Sequence, residues 1–423
     1  MPSFKDMLAP MLETAEILDE YVTTSKESTQ DAKTYQAPTN WNDAPPAINE
    51  ARLHFIQDAK RLLCVAKGPE MAAREYLEYP MQKIACMRVL IDFGVFDAIR
   101  KAPAGMVEIN ELASVCNMNN RASQLARIIE RVKHDGILTI PKAGYVSLTD
   151  LSQAYASGGI FHSEAKWFVN PVLDSAVTFS RALRELGDDE PNRSNSAFNR
   201  AYGTDLPIMQ WVNRNPAWSR IFSDLMQSYS KDPRFSIEHV LSAYDWSSVG
   251  RGHVVDVGGN AGMVSLAIAT RYPQVSFTVQ DQEDFSTQDN QIASLGSRIV
   301  FQQHDFFKPN PVSGPEIFFM RWILHDWPDS EARRIISSLT CQMGSKTRLL
   351  IMDGIAQQQD SSSEEGEALA DLDIIMMTTF NGRERTLDQW LTLFRGADPS
   401  LKMVGVHRPE GSALSLMVLE KSA

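Results

Sequence analysis

Cysteine is scarce in this chain: there are four in 423 residues, at positions 64, 86, 116 and 341. They are scattered and form no Cys-x-x-Cys. That pattern excludes a disulfide framework and a zinc site, and it reads as reduced thiols in a cytoplasmic protein. Long apolar runs are also missing. None reaches the ~18 residues of a membrane span, and the N-terminus mixes acidic with apolar residues and lacks a signal-peptide core. Positive charge is in deficit, with 41 Lys and Arg against 53 Asp and Glu and a formal net charge of −12. Such a balance argues against a nucleic-acid or anionic-membrane partner. No Gly-x-Gly-x-x-Gly is present, so a dinucleotide is not the expected ligand.

What is present suits a soluble globule of two or three domains, 43% hydrophobic and 22% charged. Residues 4–23 read as an amphipathic helix, with Met7, Leu8, Met11, Leu12, Ile17 and Leu18 at three- and four-residue spacings. Its stripe must be buried on its own domain or on a partner subunit. Residues 24–50, with Pro38, Pro45 and Pro46, read as a linker, and a helix resumes over 51–78. Residues 81–150 follow a winged-helix pattern: helices over 81–99, 109–115 and 121–134, a short strand at 106–107, then strands at 137–140 and 145–148 around Lys142–Gly144. Arg121, Arg127, Arg131 and Lys133 would be its DNA-binding face. The acidic chain and the half-apolar third helix favour a dimerisation module instead. Residues 155–235 read as helical and rich in aromatics, with His162 among them as a satisfied core or surface histidine.

The organising stretch is 252–262, Gly-His-Val-Val-Asp-Val-Gly-Gly-Asn-Ala-Gly. Val254, Val255 and Val257 predict a strand covered on both faces, and Met263–Arg271 predicts the helix after the glycine turn. Strand-like runs follow at 277–281, 299–305, 316–322, 348–353, 403–407 and 414–420, with helices expected between the first five strands and an antiparallel hairpin at the end. The fold class is therefore α/β, a doubly wound Rossmann-like sheet with an antiparallel end. It is preceded by a mainly α, winged-helix-like domain over 1–155; the helical connector and sheet domain take 156–423.

Acidic residues stand at or near successive strand ends. Asp256 lies inside the first strand, near the mouth of the glycine turn, where it suits a cationic ligand better than a pyrophosphate. Asp281 ends the second strand, where an acid accepts hydrogen bonds from a ribose diol. Asp305 ends the third and is followed by Phe306 and Phe307, a pairing that suits adenine; each acid could instead cap a helix. The fourth run ends Arg321-Trp322-Ile323-Leu324-His325-Asp326-Trp327. His325 there, with Asp326 beside it and Asp353 and Glu384 downstream, is the equipment of a general base near neutral pH.

Asp-Val-Gly-Gly-x-x-Gly, Gln-Asp, Asp-Phe-Phe, Arg-Trp-Ile-Leu-His-Asp-Trp-x-Asp and Asn-Gly-Arg-Glu-Arg-Thr are similar in type and order to motifs of the caffeate- and sterigmatocystin-type O-methyltransferases. Those are S-adenosylmethionine-dependent enzymes of plant and fungal secondary metabolism. The resemblance covers residues ~80–423. It implies that Asp256, Gly258 and Gly262 line the methionine end of the cofactor, that Asp281 holds the ribose, and that Asp305 and Phe306 hold the adenine with Trp327 packed beside it. It puts Arg321, where the family often has lysine, against the cofactor carboxylate. It makes His325 the base flanked by Asp353 and Glu384, with no metal, and makes the N-terminal region a homodimerisation domain. This sequence departs from the family at Asn260, Gln282, His304 and Asp353.

The resulting expectation is methyl transfer from S-adenosyl-L-methionine to a phenolic or enolic hydroxyl of a polyketide-like small molecule. Met376, Met377 and Phe380 on the helix over 369–379 and just beyond it are expected to face the substrate. A related fold that uses only the cofactor's charge, as a pericyclase, is the first rival. A regulator with a dead enzyme domain is the second. The presence of His325 weighs against the pericyclase, and the acidic charge together with the intact His-Asp-Glu set weighs against the regulator.

Overall fold

The computed structural model describes residues 3–24, 41, 44–159, 161–186, 191–282, 296–356 and 364–422. The chain divides into two units, Met1–Asn170 and Pro171–Ala423. The first unit thus runs past the expected boundary at 155, because Ala165 and Val169 pack against its core.

In the first unit, helix Phe4–Thr24 buries none of its residues and leaves Phe4, Leu8, Leu12 and Ile17 exposed. The next helix runs Pro46–Asp92, so the expected linker ends earlier and the expected helix starts sooner than read from sequence. Pro46 sits in the first turn, where its missing N–H costs nothing. The same helix passes through Gly68 in a non-helical conformation just before Pro69, the kink that a proline ring forces on the turn preceding it. Gly94, at φ +65°, then separates Asp92 from helix Val95–Arg100, where one continuous helix over 81–99 was expected. Strand β1 (Met106–Glu108), helices Ile109–Val115 and Ala122–Lys133, and strands β2 (Leu138–Lys142) and β3 (Tyr145–Leu148) follow. The three strands form an antiparallel sheet in the order β1-β3-β2. Leu90, Ile99, Leu112, Leu125, Ile129 and Val146 are fully buried in its core. His162 is held locally, Nδ1 lying 2.9 Å from the Tyr155 carbonyl.

The second unit is built on β4 (His253–Val257), β5 (Ser276–Asp281), β6 (Ile299–Gln303), β7 (Ile317–Arg321) and β8 (Arg348–Asp353). Two short strands follow, β9 (Ile355–Ala356) and β10 (Arg385–Thr386), which pair with each other in parallel. The last two are β11 (Leu401–His407) and β12 (Ser415–Lys421). The main sheet has seven strands in the order β11-β12-β8-β7-β4-β5-β6. β4 to β8 run parallel, while β12 is antiparallel to both β8 and β11. Side chains alternate across it as a period of two demands. Val254, Phe277, Ile317 and Phe319 enter one core, and Val255, Val257, Phe318 and Met320 enter the other.

Two expectations need correction. Strand β6 stops at Gln303, short of Asp305, and no helix separates β6 from β7, where Pro309, Pro311 and Pro315 interrupt the chain. The helix expected between β5 and β6 lies mostly over residues 283–295, outside the described ones. Among the described residues no helix is long and apolar enough to cross a membrane.

Candidate active site

The parallel strands deliver the candidate residues to one edge of the sheet, at their carboxyl ends, where open α/β sheets gather ligands. Asp256 is buried in β4 and accepts a hydrogen bond from Ser265 Oγ at 2.6 Å. Burial pushes its carboxyl up to about 6, against the pull of Ser265 and Arg321. Gly258 and Gly262 both have φ +74°, a region closed to most side chains, and a Cβ on Gly258 would lie 2.5 Å from Ile323 Cδ1. Asp281 accepts from the Asn260 backbone N–H at 3.1 Å, closing the turn against β5. Asp305 accepts from the Phe307 N–H at 3.1 Å, so it also shapes its own loop. Phe306, Phe307 and Trp327 meet edge to face, with ring centroids 4.7–5.4 Å apart.

Arg321 ends β7. Its Nη2 donates to the Phe235 carbonyl at 2.6 Å, while its Nε is buried without a hydrogen-bond partner. Burial pushes the guanidinium down to about 10, with Asp256 and Asp353 pulling it back up. Trp322 follows at φ +58°, a conformation that costs a non-glycine residue about 1–3 kcal/mol and collects at functional sites. Its indole lies nearly parallel to the His325 ring, 9° apart at 6.1 Å.

His325 sits in the 3-10 turn Leu324–Asp326 and is 5% exposed. Its Nδ1 is 2.6 Å from Glu384 Oε1 and 3.9 Å from Asp353 Oδ1, and its Nε2 is 3.4 Å from Asp326 Oδ1. An ionised carboxylate only accepts, so Nδ1 carries the hydrogen. The pairing of β9 with β10 brings Glu384 here, and Gly354 lets it approach, since a Cβ at 354 would strike the Glu384 carboxylate. Asp353 holds the turn, Oδ2 accepting from the Leu324 N–H at 3.1 Å. Burial alone would lower the imidazole, but Glu384, Asp326 and Asp353 outweigh it and raise it to about 10. Burial likewise pushes Asp353 up to about 7 and Asp326 up to about 6. The cluster therefore favours a proton held among His325, Asp326 and Asp353. Asp353 Oδ1 and Glu384 Oε2 remain without hydrogen-bond partners.

A small cavity opens beside this cluster, lined in part by Arg193, Ile208, Met209, Asp326, Trp327 and Phe380. Met376 and Met377, although on the same helix as Phe380, do not border it. Sequence reasoning missed Arg385. Its fully buried guanidinium donates to the Leu324 and Trp327 carbonyls at 2.7 and 2.6 Å and to Asp329 at 2.9 Å, pinning the turn that carries His325. Its place in the Arg-Glu-Arg-Thr motif was the available signal. Arg193 and Ser265 were missed as well, and nothing in their spacing marks them.

A family model described as an O-methyltransferase domain matches residues 181–398. O-methyltransferase VdtC of Byssochlamys spectabilis is 30% identical over 88% of this chain and 87% of its own length. The dual O-methyltransferase/FAD-dependent monooxygenase CTB3 of Cercospora beticola is 28% identical over 94% of this chain, which spans only 46% of that protein's length. Among solved structures, OxaC in complex with SAH and oxaline superposes with a TM-score of 0.76 at 21% identity, covering 99% of each chain. A structure described as a pericyclic reaction enzyme superposes at 0.67 and 19% identity, over 97% of this chain and 100% of that one. These two likenesses are of fold.

Proposed function

The chain belongs to the S-adenosylmethionine-dependent O-methyltransferase family, and from that premise we propose that it methylates a phenolic or enolic hydroxyl of a small polyketide-like metabolite, with His325 as the general base. The observation that carries this reading is the 2.6 Å contact between His325 Nδ1 and Glu384, which leaves Nε2 for the substrate side, next to the cavity that Asp326 lines.

The residues present suit the cofactor. Arg321 Nε, buried and without a partner, is a donor for a carboxylate, and Asp256 stands near it for a cationic amine. The turn at Gly258 and Gly262 leaves room where side chains would intrude. In this reading Asp281 takes the ribose diol, and Asp305, Phe306 and Trp327 take the adenine. Bound S-adenosylmethionine supplies an activated methyl group and a positive charge. With a cation added to the pocket, the His325 imidazole releases its stored proton at lower pH. His325 Nε2 would take the hydroxyl proton of the substrate, and Asp326, Asp353 and Glu384 would hold the imidazolium that results. Met376, Met377 and Phe380 remain candidates for the substrate-facing wall, with Phe380 supported by the cavity.

The same reading makes the winged-helix-like region and the exposed stripe of helix Phe4–Thr24 a homodimerisation surface, without nucleic acid as partner, in a cytoplasmic enzyme. The test of function is mass spectrometry of products formed from methyl-labelled S-adenosylmethionine and a panel of fungal polyketide phenols. A labelled methyl ether is expected. An unlabelled isomer of the substrate would overturn the reading and assign the site to pericyclic chemistry.

A further inference from the structure

Arg193 has no role in the reading above, yet the second unit takes pains to place it. The segment 191–196 folds on itself, Asn195 Oδ1 accepting from the Asn192 N–H and Asn192 Oδ1 accepting from the Ser194 N–H, each at 2.9 Å. Asn381, just past helix Glu364–Phe380, ties the segment down: its Nδ2 donates to the Asn192 carbonyl at 2.7 Å and to Asn195 Oδ1 at 2.8 Å. The Arg193 N–H is hydrogen-bonded to the Glu331 carboxylate. The guanidinium that results is half-buried, 3.4 Å from the centroid of the Trp327 ring, in the wall of the cavity it shares with Asp326.

The protonation of Asp326 matters because its Oδ1 lies 3.4 Å from His325 Nε2. As a carboxylate, Asp326 can only accept, and it leaves the Nε2 lone pair to the substrate while steadying the imidazolium formed later. As a carboxylic acid it would donate to Nε2 and occupy the lone pair that a base needs. The charged groups that bear on Asp326 are His325 and Arg193, which favour its ionised form, and Glu384, which opposes it. Arg193 is in turn faced by Glu331, Asp326 and Asp305.

We propose that Arg193 is a positioning residue for the reaction: laid on Trp327 in the wall of the cavity it shares with Asp326, it keeps Asp326 ionised, so that His325 Nε2 stays free to take the substrate's proton. The proposal rests on the general-base reading of His325. The working range is the sensitive one, because burial pushes Asp326 up to about 6. Removing a cation from beside two proton-holding groups makes the pocket keep its proton to higher pH, so the acid limb of activity moves in the alkaline direction.

The test compares full-length wild type, Arg193→Gln and Arg193→Lys. The ring nitrogens of ¹⁵N-labelled His325 are titrated by NMR in protein saturated with S-adenosylhomocysteine, and kcat is measured against pH with any phenol of the panel that is methylated. Arg193→Gln should raise the titration midpoint and the acid limb together by about one pH unit, the scale of a charge acting at close range. Arg193→Lys should restore both. An unmoved midpoint, with only KM raised, would overturn the proposal and leave Arg193 as packing on Trp327. Should Arg193→Gln not fold, Glu331→Gln decides the matter. It removes a negative charge facing Arg193 and should move the limb in the acid direction; no movement overturns the proposal. Failure of the functional reading is seen separately, as absence of methylated product from wild type, and the NMR titration still reports on Arg193.

Discussion

Glu384 Oε1 lies 2.6 Å from His325 Nδ1, and it is brought there by a two-residue parallel pairing between β9 and β10. A charged hydrogen bond of this kind is worth about 1.5–3 kcal/mol. Glu384→Gln keeps the shape and removes the charge that holds the imidazole's tautomer and stabilises its protonated form. Methylation by this variant should fall by about ten- to a hundredfold, with cofactor affinity by calorimetry unchanged. A wild-type rate would mean that Glu384 only fills space.

His325→Ala removes the base itself. A phenol of pKa ~10 is mostly un-ionised at pH 7, so its proton must be taken. The rate at neutral pH should drop by ~10²–10⁴ while cofactor binding stays nearly intact. Part of the loss should return at high pH, where the substrate ionises unaided. Rate profiles of both proteins from pH 6 to 10 check this, and equal rates at pH 7 would exclude the base.

The sheet was legible because its strands are short apolar runs buried on both faces: the expected spans 254–257 and 348–353 lie within His253–Val257 and match Arg348–Asp353. What failed was continuity. Proline reads as a breaker, yet helix Pro46–Asp92 runs through Pro69 and Pro80 by giving up regular geometry only at Gly68. The chain over 306–315 was expected to be helical and carries three prolines that prevent it. At the site, the residues on strand ends announced themselves by position. The contact of Glu384 with His325 did not, since it depends on a pairing between residues some thirty positions apart; the sequence offered Glu384 only as a carboxylate downstream of the histidine. Arg385 and Arg193 act through buried backbone contacts and through a ring face, neither of which leaves a periodic trace.

Asp281 closes β5 and accepts from the Asn260 N–H, so its carboxylate is fixed before any ligand arrives. If it receives the ribose diol, Asp281→Ala should weaken S-adenosylmethionine by about 1–3 kcal/mol, read by calorimetry on protein of native circular dichroism. Unchanged affinity would remove the assignment.

Helix Phe4–Thr24 has no fully buried residue and exposes Phe4, Leu8, Leu12 and Ile17, and helix Pro46–Asp92 exposes Met71, Tyr76, Leu77 and Met81. In the proposed homodimer a second copy of the chain covers these apolar side chains. Wild type should sediment as a dimer at micromolar concentration, and deletion of residues 1–24 should shift it toward monomer. A monomeric wild type would contradict the assembly.

The His325 cluster also sets how stability depends on pH. The imidazole is raised to about 10 in the folded protein, against about 6.5 when unfolded. Its contribution is therefore fully present below pH ~6.5 and is lost as pH rises through about 10, because over that window the native state binds the proton and the unfolded state does not. Asp326 and Asp353, raised to about 6 and about 7, act in the same direction at lower pH: each favours the fold while protonated and withdraws that support as it ionises. Denaturant unfolding of wild type should show stability falling between pH 7 and 10. Lysine, tyrosine and cysteine side chains titrate there as well, so the informative quantity is the difference from His325→Ala, whose profile should be flatter over the same range. Parallel slopes for the two proteins would mean that the proton is not held at His325.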